Sequence, residues 1–436
     1  MTFACPPRHH QYGVGQMLVF ITFVLSSITS LRGAARAFET LTDLIPVPLP
    51  LVPCSWWTGR LWLFRLGLYK LTRPKPHADD WVWIADHTQQ LGPEKCLLIL
   101  GIRLSSLRAD TCHLRHEDME PITLCPVRKS NGDVVYEQLE AAIEKTGVPR
   151  EILSDHGPDL RAGIRQFCEQ HPTTCAVYDI THKAASLVTA FLTYDDTWER
   201  FCRFATRMKQ QVTLTDLAVL APPAQRSKAR YMNVHRLGRW AGKVLEVLDD
   251  DRSITDSVTI SSHPKAAKIT GLEDFREDIA VWNAVFDIVN MAEEAVRQYG
   301  FQPQCVETLK THLYAKEWLP HVADFGEMML DFVRTESAKA RPGERLLGSS
   351  EVIESVFGKL KALEKGQANQ GLTGFVLSAA ALVAPTTLGV VREAMETVST
   401  NDAHTWCREA LGPSVQAQRK TLFTRTTSSE TKPGST

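Results

Sequence analysis

The 436-residue sequence predicts an α/β protein: a mixed five-stranded sheet with flanking helices, interrupted by an all-helical insertion and preceded by a small helical domain. Three observations carry this prediction. Short apolar runs between residues 81 and 179 have the length and composition of strands buried in a sheet. From about residue 190 to 345 no strand pattern appears, and long segments of helical periodicity take its place. Residues 1–78 also read as helical throughout.

A chain this long exceeds what one hydrophobic core usually serves, so two or three domains are expected. The net charge is −1, which gives no global signal for nucleic acid. The charge is uneven, however. Met1 to Ala78 holds eight Lys and Arg against two acids, a surplus of six, and a basic first segment is where a DNA-binding module would show itself. The ten cysteines have no CxxC pairs, which argues against a disulfide framework or zinc ribbon and suits a reducing, cytoplasmic, nucleoid-associated setting. Cys112, His113 and His116 form one local cluster without a second half, so a surface loop is the plainer reading. Met17 to Leu31 is strongly apolar over about 15 residues, short of the roughly 20 that a spanning helix needs. It reads as a buried helix of a small bundle rather than a membrane span.

The elements follow in order. An apolar helix over about 15–29 leads into an amphipathic one over 30–41, with Leu31, Ala34, Ala35 and Phe38 at helical spacing. After the proline-rich turn at 45–50 comes Ser55 to Lys70, a helix with an N-cap serine, aromatics and basic residues. This is the outline of a helix-turn-helix reader, with Arg60, Arg65, Lys70 and Arg73 as expected phosphate contacts. A linker over 74–79 precedes strands at 81–86, 96–102 and 122–128, a helix at 134–146, a strand at 151–155, a helix through Cys168, a strand at 175–179 and a helix at 181–192. Three meandering strands and two alternating units make a mixed sheet with helices on its faces. Within the insertion, long periodic segments such as 277–299 and 306–337 read as helices. A helix over 351–365 and a second near 374–384 follow, and the tail from about 414 has the composition of disordered chain. The resulting domains are 1–78, 79–190, 191–345, 346–400 and a 401–436 tail.

Two carboxylates stand out. Asp86 closes an apolar strand, where a charge is costly unless something compensates it. Asp155 ends the fourth strand just before Gly157-Pro158. If strands one and four are parallel neighbours, both side chains project from one sheet edge. Divalent cations relieve the mutual repulsion of such acids, and hard oxygen ligands suit Mg²⁺ or Mn²⁺. Two such ions activate an attacking hydroxyl and stabilise the leaving oxygen in phosphoryl transfer. A third carboxylate has to come from another element, and Glu354 on the helix after the insertion is the candidate. Glu351 competes with Glu354, and Asp159 competes with Asp155, although an acid at a helix start is expected anyway.

In this order and spacing the segments WIADHT, ILSDHG and SSEVIESVFGKLK resemble the three acidic motifs of DDE transposases with the RNase H-like fold. The resemblance covers roughly residues 80–395. It implies that Asp86, Asp155 and Glu354 are catalytic and bind two Mg²⁺ or Mn²⁺ ions. It also implies that the chain cuts element ends, joins them to target DNA and acts as a homo-oligomer. The helical stretch before Glu354 is similar to the insertion of hAT-like transposases. Asp179 and His182 resemble an Asp-x-x-His accessory element near the active site. Glu354 and Lys361 resemble the Glu-x6-Lys half of a bacterial signature whose basic residue binds phosphate, whereas Leu347 and Ser350 replace its Tyr and Arg. Inside the insertion, Arg226, Lys228, Arg230, Arg236 and Arg239 alternate with Tyr231 and Trp240, a pattern that suits strand tracking with base stacking. The sequence therefore predicts a DNA transposase, with DNA as partner and no membrane. The competing readings are a catalytically silent DNA-binding protein derived from such an enzyme and a membrane-anchored helical protein.

Overall fold

A computed structural model describes residues 3–44, 51–89, 95–127, 129–193, 196–224, 234–250, 253–255, 258–259, 263, 267–365, 373–413 and 415–429. The chain forms two units. The first comprises Met1–Arg108, His113–Val177 and Ser350–Thr436, and the second Ala109–Cys112 and Tyr178–Ser349.

The first unit opens with α1 (Val14–Ser26), α2 (Leu31–Leu44) and α3 (Trp56–Thr72). α1 buries Met17, Phe20, Ile21 and Val24, so the apolar segment is a core helix, as expected. Among the described residues no helix is long and apolar enough to cross a membrane. The sheet follows. β1 (Trp81–Gln89) pairs antiparallel with β2 (Lys95–Arg103), and β2 pairs antiparallel with β3 (Glu120–Val127). The chain then crosses through α4 (Gly132–Thr146) to β4 (Glu151–Ser154), which lies parallel to β1. α5 (Pro158–Gln170) leads to β5 (Cys175–Tyr178). The strand order is β3-β2-β1-β4-β5. Three antiparallel strands with a fourth parallel to the first make this the RNase H-like arrangement that the sequence predicts.

Local chemistry sets these boundaries. Aromatic and β-branched residues suit a pleated, buried surface, and β1 begins Trp-Val-Trp-Ile-Ala with all five side chains buried. One face of the sheet packs Trp83, Ile99 and Ile152 against Leu139 of α4 and Ile164 and Phe167 of α5. α4 starts at Asn131, whose side chain accepts a hydrogen bond from Val134 N, and stops at Gly147, whose φ of 84° is left-handed. β1 runs to Gln89 rather than stopping at Asp86, because its pairing with β2 continues to Lys95.

The second unit is helical. It comprises α6 (Ile180–Thr193), α7 (Asp196–Val212), α8 (Val234–Asp249), a short hairpin of β6 (Ser253–Thr255) and β7 (Val258–Thr259), α9 (Ala267–Thr270), α10 (Arg276–Tyr299), α11 (Pro303–Tyr314) and α12 (Pro320–Ser337). The hairpin is a small departure from the all-helical expectation. α10 is the axis, in contact with α6, α8, α11 and α12. Trp198 of α7 meets Trp282 of α10 edge to face at 4.7 Å. One sequence boundary shifts here: α6 belongs with the helical unit, because it packs on α10. The segment 306–337 holds two helices, α11 ending at Tyr314 and α12 starting at Pro320.

The first unit closes with α13 (Glu351–Lys365), α14 (Leu377–Leu382), α15 (Leu388–Thr397), α16 (Thr400–Leu411) and α17 (Val415–Ser429). α17 corrects the expectation of a disordered tail: it is helical, with exposed side chains from Ala417 to Thr424.

Residues 1–78 lie within the first unit together with the sheet. α3 is the central helix of the first unit, packed against α1, α2, α14, α15, α16 and β3. Its Gly67 is required by that packing, since a Cβ there would lie 2.2 Å from the Leu377 carbonyl oxygen. Lys70 is fully buried and donates to Ala381 O, Val383 O, Ala384 O and Thr386 Oγ1 at 2.7–3.0 Å. Arg65 is buried and donates to Met395 O and Val398 O. Arg73 pairs with Glu120. Arg65, Lys70 and Arg73, three of the four cations expected to meet phosphate, are therefore engaged by carbonyl oxygens and a carboxylate inside the fold. A buried oxygen that loses its donor keeps its desolvation cost. Lys70→Met is expected to lower unfolding stability by roughly 3–5 kcal/mol, read from the urea midpoint. An unchanged midpoint would return Lys70 to the surface role.

Candidate active site

The parallel pairing of β1 with β4 fixes the first two carboxylates. Val82 stands opposite Glu151, Trp83 opposite Ile152 and Ile84 opposite Leu153. Carried two residues beyond the last pair, the same register would bring Asp86 level with Asp155, which follows the end of β4. Side chains alternate along a strand, so Asp86 takes the face of Val82 and Ile84, and Asp155 the face of Leu153. Neighbouring strands run about 4.8 Å apart, so two acids share one side of the sheet at one end.

The turn after β4 is tightly specified. Gly157 N donates to Asp155 Oδ1 at 2.8 Å, and His156 between them has a φ of 58°. A left-handed backbone is uncommon for a residue with a Cβ, and such conformations concentrate at functional turns. Asp86 Oδ1 accepts from His87 N at 2.6 Å. α13 packs against β1 and carries Glu351 and Glu354, both half-buried in its first turn.

The structure separates Asp155 from its competitor. Asp159 is committed to a polar cluster on the α4–α5 side of the sheet. Its Oδ2 pairs with Lys95 Nζ at 2.9 Å and lies 3.8 Å from His87 Nδ1, and His87 Nε2 is 3.3 Å from Ser130 Oγ. Partial burial raises the Asp159 pKa, but hydrogen bonds from Lys95 and Ser130 and the charges of His87 and Lys95 outweigh it and hold the carboxyl at about 2. Burial lowers the pKa of His87, with Asp159 opposing. Little in the sequence points to this cluster, because Lys95 and Ser130 reach Asp159 from distant segments. The one local hint is that Asp86 and Asp155 are each followed by a histidine.

Carboxylates are the oxygen donors that Mg²⁺ and Mn²⁺ prefer, and Asp86 and Asp155 fit such an ion by type and by register. Among the described residues, no three His, Cys, Asp or Glu side chains stand together as a group that could hold a metal ion. Glu354 and Glu351 are thus on the adjoining helix without forming a closed three-ligand site with the aspartates.

The remaining predicted residues are scattered. Asp179 is buried in the helical unit and accepts from His182 N at 2.8 Å, which is the geometry of an N-cap on α6. Lys361 is exposed on α13. Arg236 and Arg239 are exposed on α8, and Arg239 pairs with Asp287 at 3.2 Å. Arg226, Lys228, Arg230 and Tyr231 lie outside the described residues. Trp240 donates to Leu220 O, so its indole N–H serves the fold. His116 of the Cys-His cluster faces Lys359 Nζ at 3.2 Å.

No protein-family model matches the chain, and no curated protein is significantly similar to it in sequence. Among solved structures it is similar to the Drosophila P element transposase strand transfer complex, with a TM-score of 0.41 and 14% identity over 89% of this chain and 93% of that one. A likeness at this level adds nothing to what the strand order already establishes.

The Asp159 cluster has a pH signature. The unfolded carboxyl takes up its proton near 3.8 and the folded one only near 2. The cluster therefore stabilises the fold fully above about pH 4, and that contribution is lost as pH falls towards 2. Asp159→Asn is expected to have a lower urea midpoint than the wild type at about pH 6, with the gap closing by about pH 2. A gap of constant size would show that the carboxylate is not held in this way.

Proposed function

We propose that the chain is a metal-dependent polynucleotidyl transferase of the DDE type, acting on DNA as a transposase. The observation that supports this reading is the parallel β1–β4 register, which, carried two residues past Ile84 and Leu153, brings Asp86 and Asp155 to the same end of the sheet. Two like charges side by side at a sheet end raise the energy of the empty site, and a divalent cation between them is the chemistry that removes the cost. Asp86 and Asp155 would hold the metal, with Glu354 reaching in from α13 as the third ligand. Mg²⁺ or Mn²⁺, two ions in the full site, supplies an activated hydroxyl and a stabilised leaving oxygen when bound. Within the protein, the Gly157 N–H holds the Asp155 turn in place. The partner in this reading is DNA, as element ends and as target, and the working form is a homo-oligomer.

A second reading has one observation in its favour. Among the described residues no three ligands stand together, and a chain that only binds DNA needs no such group.

One set of variants separates the two. Asp86→Asn and Asp155→Asn are each expected to abolish nicking, in Mg²⁺ or Mn²⁺, of plasmid DNA carrying the sequence that flanks the gene. DNA retention in a mobility-shift assay should stay intact. Glu354→Gln should also abolish nicking and Glu351→Gln should spare it. Cleavage that survives either aspartate change sinks the metal assignment, and a wild type that binds but never nicks favours the silent reading.

A further inference from the structure

The sequence puts two tryptophans at the start of α3, and the fold leaves both on the surface. Ser55 caps the helix by accepting from Thr58 N at 3.1 Å. Trp56 and Trp57 then occupy its first turn. Successive helical positions point about 100° apart, so one neighbouring element does not cover both side chains. They remain 37% and 44% exposed, with their rings edge to face at 5.6 Å. All other tryptophans that the structure describes are more buried.

Arginines frame the pair. The Arg32 guanidinium of α2 lies 5.4 Å from the centroid of the Trp56 ring. The Arg60 guanidinium lies 4.7 Å from the Trp57 ring centroid and 4.7 Å from that of Phe64. Arg36, one turn after Arg32, is exposed. Among the described residues, no carboxylate forms an ion pair with Arg32, Arg36 or Arg60. The acids of α2, Glu39 and Asp43, come in the turns beyond Arg36, away from the Trp56 end. The arginines and lysine buried deeper in α3 are engaged by carbonyls, so these three are what remains of the N-terminal basic surplus at this face.

We infer that Trp56, Trp57, Arg32, Arg36 and Arg60 form a binding surface for single-stranded DNA, with unpaired bases stacked on the indoles and arginine planes and the backbone phosphates met by Arg32 and Arg36. Planar aromatic and guanidinium groups stack on any base whose face is open. Duplex bases present only their edges, so the surface selects unpaired strands. An apolar protein partner would want the indoles ringed by neutral or mixed side chains, whereas uncompensated cations beside them complement a polyanion. The surface differs from the helix-turn-helix reading of the same segment, in which buried Arg65 and Lys70 were the contacts. It is also independent of the metal site, so its test stands whether or not the chain cleaves DNA.

The test is fluorescence anisotropy of a labelled oligo-dT of about 20 nucleotides with the full chain, beside a duplex of the same length. The wild type is expected to bind oligo-dT more tightly than the duplex. Trp56→Ala with Trp57→Ala should weaken oligo-dT binding about ten-fold or more. Trp56→Phe with Trp57→Phe should restore most of it, because a flat ring still stacks, and circular dichroism confirms that both variants fold. Arg32→Ala with Arg36→Ala should reduce the slope of log K against log salt by about 1.4, two phosphates at roughly 0.7 each. Several results would overturn the proposal: no oligo-dT binding by the wild type, equal affinity of a folded double-alanine variant, or failure of the phenylalanine pair to rescue. A double-alanine variant that changes only the sedimentation coefficient would reassign the surface to contacts between protein chains.

Discussion

The parallel hydrogen bonding of β1 to β4 is the constraint on which the first unit depends. β1 is buried on both faces, so it has to be central, and β2 occupies one of its edges. The other edge requires a strand from later in the chain. A parallel neighbour cannot be reached by a tight turn, so the chain crosses through α4, and that helix covers the sheet face bearing Trp83. Once Ile84 pairs with Leu153, the faces of all following residues are set. A slip of one residue would send Asp155 to the apolar α4–α5 face and Ile152 away from it. The burial of Ile152 against Trp83 and Phe167 thus holds the two acids level.

Much of the sheet was legible in the sequence, for a physical reason. A strand covered on both faces has to be apolar along its whole length, and few other elements produce such short, dense runs. Asp86 was visible because it breaks one of these runs. The third carboxylate was less legible, because Glu351 and Glu354 occupy the same first helical turn, where acids favour the helix dipole regardless of function. The helical unit was legible in type but not in its boundaries. Nothing local in α6 says that Ala184 and Val188 meet α10 rather than the sheet.

The N-terminal helices show where composition misleads. A count of lysines and arginines does not distinguish a cation facing water from one facing carbonyl oxygens. α3 is buried nearly all round, so it has little amphipathic periodicity, and its charged residues look like a basic face when they are internal donors. Lys70 satisfies the ends of α14 and the turn after it, and Arg65 satisfies the end of α15. The residues left for a partner, Trp56, Trp57 and Arg60, lie within one turn of the helix start, where the helix emerges from its neighbours.

The Lys70 arrangement also sets a timetable for the growing chain. Its oxygen acceptors lie 311 to 316 residues downstream. At the usual pace of synthesis about 15–60 s pass between the emergence of α3 and that of its partners. Throughout that interval α3 lacks α14, α15 and α16, and the ammonium has no cage. The first large helix to leave the ribosome is therefore among the last to be finished.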